Sequence, residues 1–172
     1  MTLNDQTIAS REGEELNAQV IDSYLKSVIP GLSGTPQIRQ FPGGASNLTY
    51  LLEYPELQLV LRRPPFGHKA KSAHDMGREF RIISQLGSRF PYCPKAYVHC
   101  TDEAVIGSEF YVMERINGII LRSDMPSELN LDPDKTTQLC KSFIDKLVDL
   151  HNVDYQACGL GDLGKPEGYL QR

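Results

Sequence analysis

No run in this 172-residue chain approaches the ~20 consecutive apolar residues that span a bilayer, so no membrane helix is predicted. Basic residues are not in excess: 18 Lys and Arg stand against 22 Asp and Glu, for a net charge of -4. A nucleic-acid binder normally carries a basic excess or stripe, so that class is excluded. Residues 1–11 lack a cationic region followed by an apolar core, and do not read as a secretory signal. Cys93, Cys100, Cys140 and Cys158 form no C-x-x-C pair, and none has a histidine at a zinc-finger interval. His68, His74, His99 and His151 are equally scattered. These absences predict reduced thiols in a cytoplasmic protein, with neither a disulfide framework nor a structural metal. Internal repeats and low-complexity tracts are missing too.

What is present is the composition of a globular domain, 40% hydrophobic and 23% charged, long enough to bury a real core. Leu16, Val20, Tyr24 and Val28 recur at helical spacing and predict a helix over residues 14–29, stopped by Pro30-Gly31. Strands are predicted over 37–41, 47–54 and 57–62; short connections between them imply an antiparallel meander. Pro64-Pro65 ends the third, because proline cannot donate to a ladder. A helix opens near Asp75 with Phe80, Ile83 and Leu86 as its buried stripe, and two further strands follow over 96–101 and 108–114. Asp132-Pro133 starts a last helix running to about Val153, with Leu139, Phe143, Leu147 and Leu150 on one face. Consecutive strands before a helix indicate an α+β architecture rather than alternating βαβ units.

Three places carry chemistry. Gly43-Gly44-Ala45-Ser46-Asn47 joins the first two strands. It reads either as a hairpin turn whose glycines supply positive φ, or as a loop whose N–H groups face a phosphate, aided by Ser46 and Asn47. Arg62 ends the third strand, and Glu79 lies on the next helix at the edge of its buried face. A fully exposed pair of this kind is worth only ~0–1 kcal/mol, so orienting a guanidinium on an anionic ligand is the better reason to expect it. Arg63, facing the opposite way, is predicted to be a strand-end charge in water. The third place is Phe110 to Gly118, a strand that breaks at a charged pair and a glycine; it would join two lobes or simply end a strand.

In this order, the Gly-rich hairpin, the V-x-R strand, the helix glutamate and Met113-Glu114-Arg115-Ile116-Asn117-Gly118 resemble the kinase-like fold of the aminoglycoside phosphotransferase family. The nearest resemblance is to the branch found fused or adjacent to acyl-CoA dehydrogenases. Gly43 to Tyr50, Leu61-Arg62-Arg63-Pro64-Pro65, Leu150-His151-Asn152-Val153-Asp154 and Gly168-Tyr169-Leu170 carry it, from about residue 37 to the last. The resemblance implies a five-stranded antiparallel small lobe with one helix and the beginning of a helical large lobe. Residues 1–30 would be an N-terminal helical segment, 31–116 the ATP-binding lobe, and 117–172 the hinge and first part of the large lobe. It further implies that Gly43, Gly44, Ala45, Ser46 and Asn47 cover the phosphates of ATP. Arg62 would replace the usual strand lysine, with Glu79 as its partner. Val60 and Met113 would flank the adenine, and backbone atoms of Glu114 and Ile116 would bond its edge. Arginine departs from the wider kinase pattern, and its planar fork prefers bidentate oxygen contacts.

The family's H-x-D-x-x-x-x-N loop does not occur in these 172 residues: His151 and Asp154 are three apart, not two. Nor is the later acidic motif for Mg²⁺ found. The resemblance therefore implies metal ligands beyond residue 172, and a chain that binds nucleotide without transferring phosphate to an acceptor hydroxyl. The implied acceptor is a hydroxyacyl-CoA or other metabolic alcohol; a non-catalytic nucleotide-binding or interaction module is the alternative. Gly159 to Gly164 spells G-x-G-x-x-G, but a dinucleotide fingerprint must follow a strand and open a helix, so a solvated turn is predicted. Asp162-Leu163-Gly164 imitates a kinase metal triplet without the loop that must precede it. The locally basic run of Arg62, Arg63, His68, Lys69, Lys71, Arg78 and Arg81 reads as a charged loop edge, or as a path for an anionic acceptor. The apolar stripe of the last helix is expected to be exposed and to drive association.

Overall fold

Asn17 starts the first helix. Its side-chain oxygen accepts from the N–H groups of Gln19 (3.0 Å) and Val20 (3.2 Å), donors that a first helical turn leaves without carbonyl partners. Helix α1 accordingly spans Ala18–Val28, starting later than the predicted Glu14. Glu14 is occupied elsewhere: its carbonyl accepts the Tyr50 hydroxyl at 2.7 Å and its carboxylate accepts the Gln40 amide. The computed structural model describes residues 5–43, 47–65, 75–121, 124–164 and 168. Gly44, Ala45 and Ser46, the basic residues His68, Lys69 and Lys71, and Tyr169-Leu170 lie outside the described residues.

Strands β1 (Gln37–Gln40), β2 (Leu48–Glu53) and β3 (Gln58–Arg63) form the predicted meander. Helix α2 (Met76–Leu86) follows, then β4 (Ala96–Cys100), β5 (Phe110–Glu114) and helix α3 (Pro133–His151). The five strands make one antiparallel sheet in the order β1-β2-β3-β5-β4. The last strand thus inserts beside β3 and pushes β4 to the edge. Both later helices begin where the sequence predicts. The Asp75 carboxylate caps the Arg78 N–H at 2.7 Å, and the Asp132 carboxylate caps the Lys135 N–H at 2.8 Å with Pro133 behind it.

Register assigns every strand residue to a face, because paired residues of antiparallel strands share a face and successive residues alternate. Tyr50, Leu61 and Val112 align across β2, β3 and β5, as do Leu52 and Leu59. These residues, with Leu48, Cys100 and Phe110, close over Ile21, Leu25 and Ile29 to form the core. Burying each such Leu, Ile or Phe contributes roughly 1.5–3 kcal/mol. The opposite face presents Thr49, Arg62 and Tyr111 in one row and Leu51, Val60 and Met113 in the next. Helix α2 packs against this second face: Phe80 stacks on His99 with ring centroids 5.6 Å apart. At the free edge, Ile8 exchanges two backbone hydrogen bonds with Gln40 (2.8 and 2.9 Å), so the N-terminal segment covers part of β1.

One expectation is overturned. Arg63 is not a solvated strand end; it is 2% exposed. Its register partner is Leu48, so alternation carries it onto the α1 face. There its Nη1 donates to the Ile106 carbonyl at 3.1 Å and its Nε to the Pro64 carbonyl at 3.2 Å. Burial lowers its pKa from the ordinary value, and the neighbouring Tyr50 phenol acts in the other direction. On helix α3, Phe143 (66% exposed), Ile144, Leu147 and Val148 all face outward. Among the described residues no helix is long and apolar enough to cross a membrane. All four cysteines are free thiols.

Burial pushes the Tyr50 phenol up to about 12, from an ordinary value of 10.0. The folded chain keeps this proton after the unfolded chain has lost its own, so the associated stability is complete below about pH 10. It is lost as pH rises from 10 towards 12. Tyr50→Phe should therefore show a shallower alkaline loss of stability than wild type, while costing about 1 kcal/mol at neutral pH through the lost bond to Glu14. Urea melts on either side of pH 10 measure both effects, and equal alkaline slopes in the two proteins would contradict the assignment.

Candidate functional site

Arg62 closes β3 on the face away from the core, in one row with Thr49 and Tyr111. The Asp75 cap sets the start of α2 so that Glu79 falls in its first turn, above that row. Arg62 Nη1 and Glu79 Oε2 lie 3.2 Å apart, with side chains 32% and 29% exposed. The pair is not isolated. The Tyr111 hydroxyl donates to Glu79 Oε2 at 2.9 Å, and Arg62 Nη1 donates to the Tyr111 oxygen at 3.4 Å. Across the carboxylate, Asn47 Nδ2 donates to Glu79 Oε1 at 3.1 Å.

Arg62 Nε is buried and meets no acceptor among the described residues. A buried donor left unpaired costs about 1–3 kcal/mol, whereas a half-exposed ion pair returns only ~0–1 kcal/mol. The arrangement is therefore a poor stabiliser, and it leaves a guanidinium donor without an acceptor among the described residues. Burial of Tyr111 pushes its phenol far above the ordinary value, with Glu79 adding to the rise and Arg62 opposing it, so the hydroxyl stays protonated and donates.

Beside this cluster, on the same face of the sheet, a cleft of about 490 Å³ opens. Phe41, Thr49, Val60, Met113, Glu114 and Ile116 are among the residues that line it. Its lining is mostly apolar, and its volume is that of a small-molecule site. Hydrogen bonding narrows what the backbone of Glu114 and Ile116 can offer. Glu114 N–H donates to the Lys95 carbonyl at 2.8 Å, which leaves only the Glu114 carbonyl for a ligand. Ile116 N–H makes no hydrogen bond among the described residues.

The structure thus brings the sequence-predicted residues into two adjoining groups. Gly43, Val60, Met113, Glu114 and Ile116 line the cleft; Asn47, Arg62 and Glu79 form the polar cluster. Gly44, Ala45 and Ser46 lie outside the described residues. Sequence reasoning missed Tyr111, Phe41 and Thr49. Tyr111 sits two residues before Met113, so strand alternation alone places both on one face; that this face meets Arg62 required the β3–β5 pairing.

The remaining motif residues have local roles. His151 is the last residue of α3, and the Asp154 carboxylate accepts the Ala157 N–H at 2.9 Å. Gly159 to Gly164 follows α3 as turns, with no strand before it. Asp162 is exposed but not merely solvated: Arg81 Nη1 and Nη2 reach its two oxygens at 2.9 and 2.6 Å, and Nη2 also donates to the Gly159 carbonyl. Hydrogen bonding from Arg81 holds the Asp162 carboxyl below its ordinary range. Among the described residues, no group of three or more His, Cys, Asp or Glu side chains converges to hold a metal ion.

Comparison with known proteins gives concordant matches. The profile of a family described as "Phosphotransferase enzyme family" matches residues 37–172. The chain is 36% identical to "Acyl-CoA dehydrogenase family member 10" of Mus musculus, across 88% of this chain and 14% of that protein. It is 31% identical to "Acyl-CoA dehydrogenase family member 11" of Gallus gallus, across 100% of this chain and 22% of that protein. The crystal structure of a "putative aminoglycoside phosphotransferase" from Ralstonia eutropha JMP134 superposes with a TM-score of 0.77 at 31% identity, across 92% of this chain and 45% of that one. This chain spans less than half the length of each of these three proteins.

Adjacent arginines on opposite faces should respond differently to truncation. Arg63→Ala is expected to cost about 2–4 kcal/mol, through a cavity and an unpaired Ile106 carbonyl. Arg62→Ala should cost less than about 1 kcal/mol, the range of a partly exposed ion pair. Denaturant unfolding of the two variants compares them directly, and a loss at Arg62 equal to that at Arg63 would contradict the face assignment.

Proposed function

The chain belongs to the phosphotransferase enzyme family and has its kinase-like fold, and from that premise we propose that it is the ATP-binding part of a small-molecule kinase. The whole enzyme moves the γ-phosphoryl of MgATP to an acceptor hydroxyl. The observation that carries this reading is the juxtaposition of an apolar cleft with a guanidinium that a helix carboxylate orients on the same sheet face.

In this reading the purine lies against Val60 and Met113, neighbours on one face of the sheet. The Glu114 carbonyl accepts from its exocyclic amine and the Ile116 N–H donates to a ring nitrogen. Arg62, with its unpaired Nε, grips the α- and β-phosphates through the bidentate contacts that suit a planar fork. Mg²⁺ would supply neutralisation of the triphosphate charge when bound. A general base alone is commonly worth ~10²–10⁴ in rate. With no H-x-D-x-x-x-x-N loop among them, these 172 residues bind nucleotide without turnover.

The proposed acceptor is a hydroxyacyl-CoA or a related metabolic alcohol. The names of the two dehydrogenase family members support this class. A cytoplasmic setting fits the four free thiols. The second reading, a non-catalytic nucleotide-binding or interaction module, is favoured by the outward-facing Phe143, Ile144 and Val148 of α3, a surface suited to association.

Calorimetric titration of the 172-residue chain with MgATP tests the first reading. Saturable binding is expected, with Arg62→Ala weakening it about tenfold, the ~1.4 kcal/mol of one charge-assisted contact. Absence of binding, or an unaltered affinity in the variant, would reject the nucleotide site. Phosphate transfer by the chain above the level of Arg62→Ala would reject the assignment of turnover to residues outside it.

A further inference from the structure

A carboxylate whose sole partner is a phosphate-gripping arginine is poorly placed. As the guanidinium turns to the anion, the carboxylate loses its anchor and follows its own rotamers. Glu79 has two other anchors, and both are shorter than its 3.2 Å ion pair with Arg62. Tyr111 holds Oε2 at 2.9 Å and Asn47 holds Oε1 at 3.1 Å. Neither donor is charged, so a phosphate draws each less strongly than it draws the guanidinium.

Both donors are also fixed by their surroundings. Tyr111 is fully buried within β5, and its ring lies against Phe80 of α2 with centroids 6.3 Å apart. Asn47 is buried immediately before β2. Its amide therefore ties the start of β2 to α2 through the Glu79 carboxylate. Strands β2, β3 and β5 meet helix α2 at a single carboxyl group, where Arg62 carries a buried donor that no described residue accepts.

We propose that Tyr111 and Asn47 are positioning residues for a phosphate subsite: they hold the Glu79 carboxylate through neutral donors, so that Arg62 is oriented by Glu79 and still released to the ligand. The inference rests on the reading of the cleft as a nucleotide site, and deepens it by assigning part of the phosphate-dependent affinity to two residues that act through the Glu79 carboxylate. Glu79 can keep its place when Arg62 moves, because two of its three contacts survive. The start of β2 and helix α2 then stay in register beside Arg62 instead of shifting separately.

The test compares MgATP with adenosine, by calorimetry on the full 172-residue chain. Adenosine reads the integrity of the cleft, and the preference for ATP over adenosine reads the phosphate subsite. Arg62→Ala is the control for the nucleotide reading. Tyr111→Phe should lower the ATP preference about fivefold while leaving adenosine affinity within about twofold, the scale of one hydrogen bond. Asn47→Ala should do the same, and it supplies a second arm should the core variant fold poorly. In a Glu79→Ala background, Asn47→Ala should produce no further loss, because the group it acts through is gone; Tyr111→Phe should keep only the small part that belongs to its own 3.4 Å contact with Arg62. An unchanged ATP preference in both variants would overturn the proposal. So would an equal loss for adenosine, which marks a general packing role, or a full loss persisting in Glu79→Ala, which marks direct contact with ligand or Arg62. If wild type shows no Arg62-dependent preference for ATP, the nucleotide reading itself fails and the proposal goes with it. If that preference is present but insensitive to Tyr111 and Asn47, only the positioning role fails.

Discussion

Everything in this molecule depends on the two-residue alternation of a single antiparallel sheet. Pairing β2, β3 and β5 in register sends Tyr50, Leu61 and Val112 to one face and Thr49, Arg62 and Tyr111 to the other. The first face is closed by α1 and supplies most of the burial on which stability rests. The second is left for a helix and an apolar cleft. A slip of one residue in β3 would exchange the two sets and place Arg62 in the core. Stability and recognition are separated by parity, not by distance along the chain.

Arg62 and Arg63 illustrate the consequence. They share a residue type and differ by one position, yet one is sequestered against backbone carbonyls while the other pairs with Glu79 on the opposite face. The buried arginine satisfies main-chain acceptors near the end of its strand and stays where it is. Arg62 keeps a buried donor unsatisfied among the described residues, a configuration that lowers stability. Glu79 mediates between these demands, because its carboxylate accepts from strand, helix-facing ring and hairpin at once.

Much of the architecture was legible in the residues. Asp75 and Asp132 announce their helices, since a short acidic side chain before an apolar period has one common use. The Pro-Gly and Pro-Pro breaks bound the strands of the meander, and the Arg62–Glu79 pairing follows from a strand end and a helix edge. The start of α1 was not legible, because Glu14 is drawn out of the helix by Tyr50 and Gln40, residues more than twenty positions away. Nor was the place of β5 beside β3, which local periodicity does not encode. Arg81 and Asp162 met for the same reason: no rule of spacing links residues eighty-one apart.

The sequence by itself determined the element types, their order, the family resemblance and the residue types able to grip an anion. Propensity, capping and turn chemistry act within a few neighbours, and motif strings survive as strings. Only the tertiary structure decided which side of the sheet each charge occupies, that Tyr111 and Asn47 converge on Glu79, and that Arg63 is internal. Those outcomes depend on strand pairing between distant segments, where the free energy resides in contacts that do not exist until the chain has closed on itself.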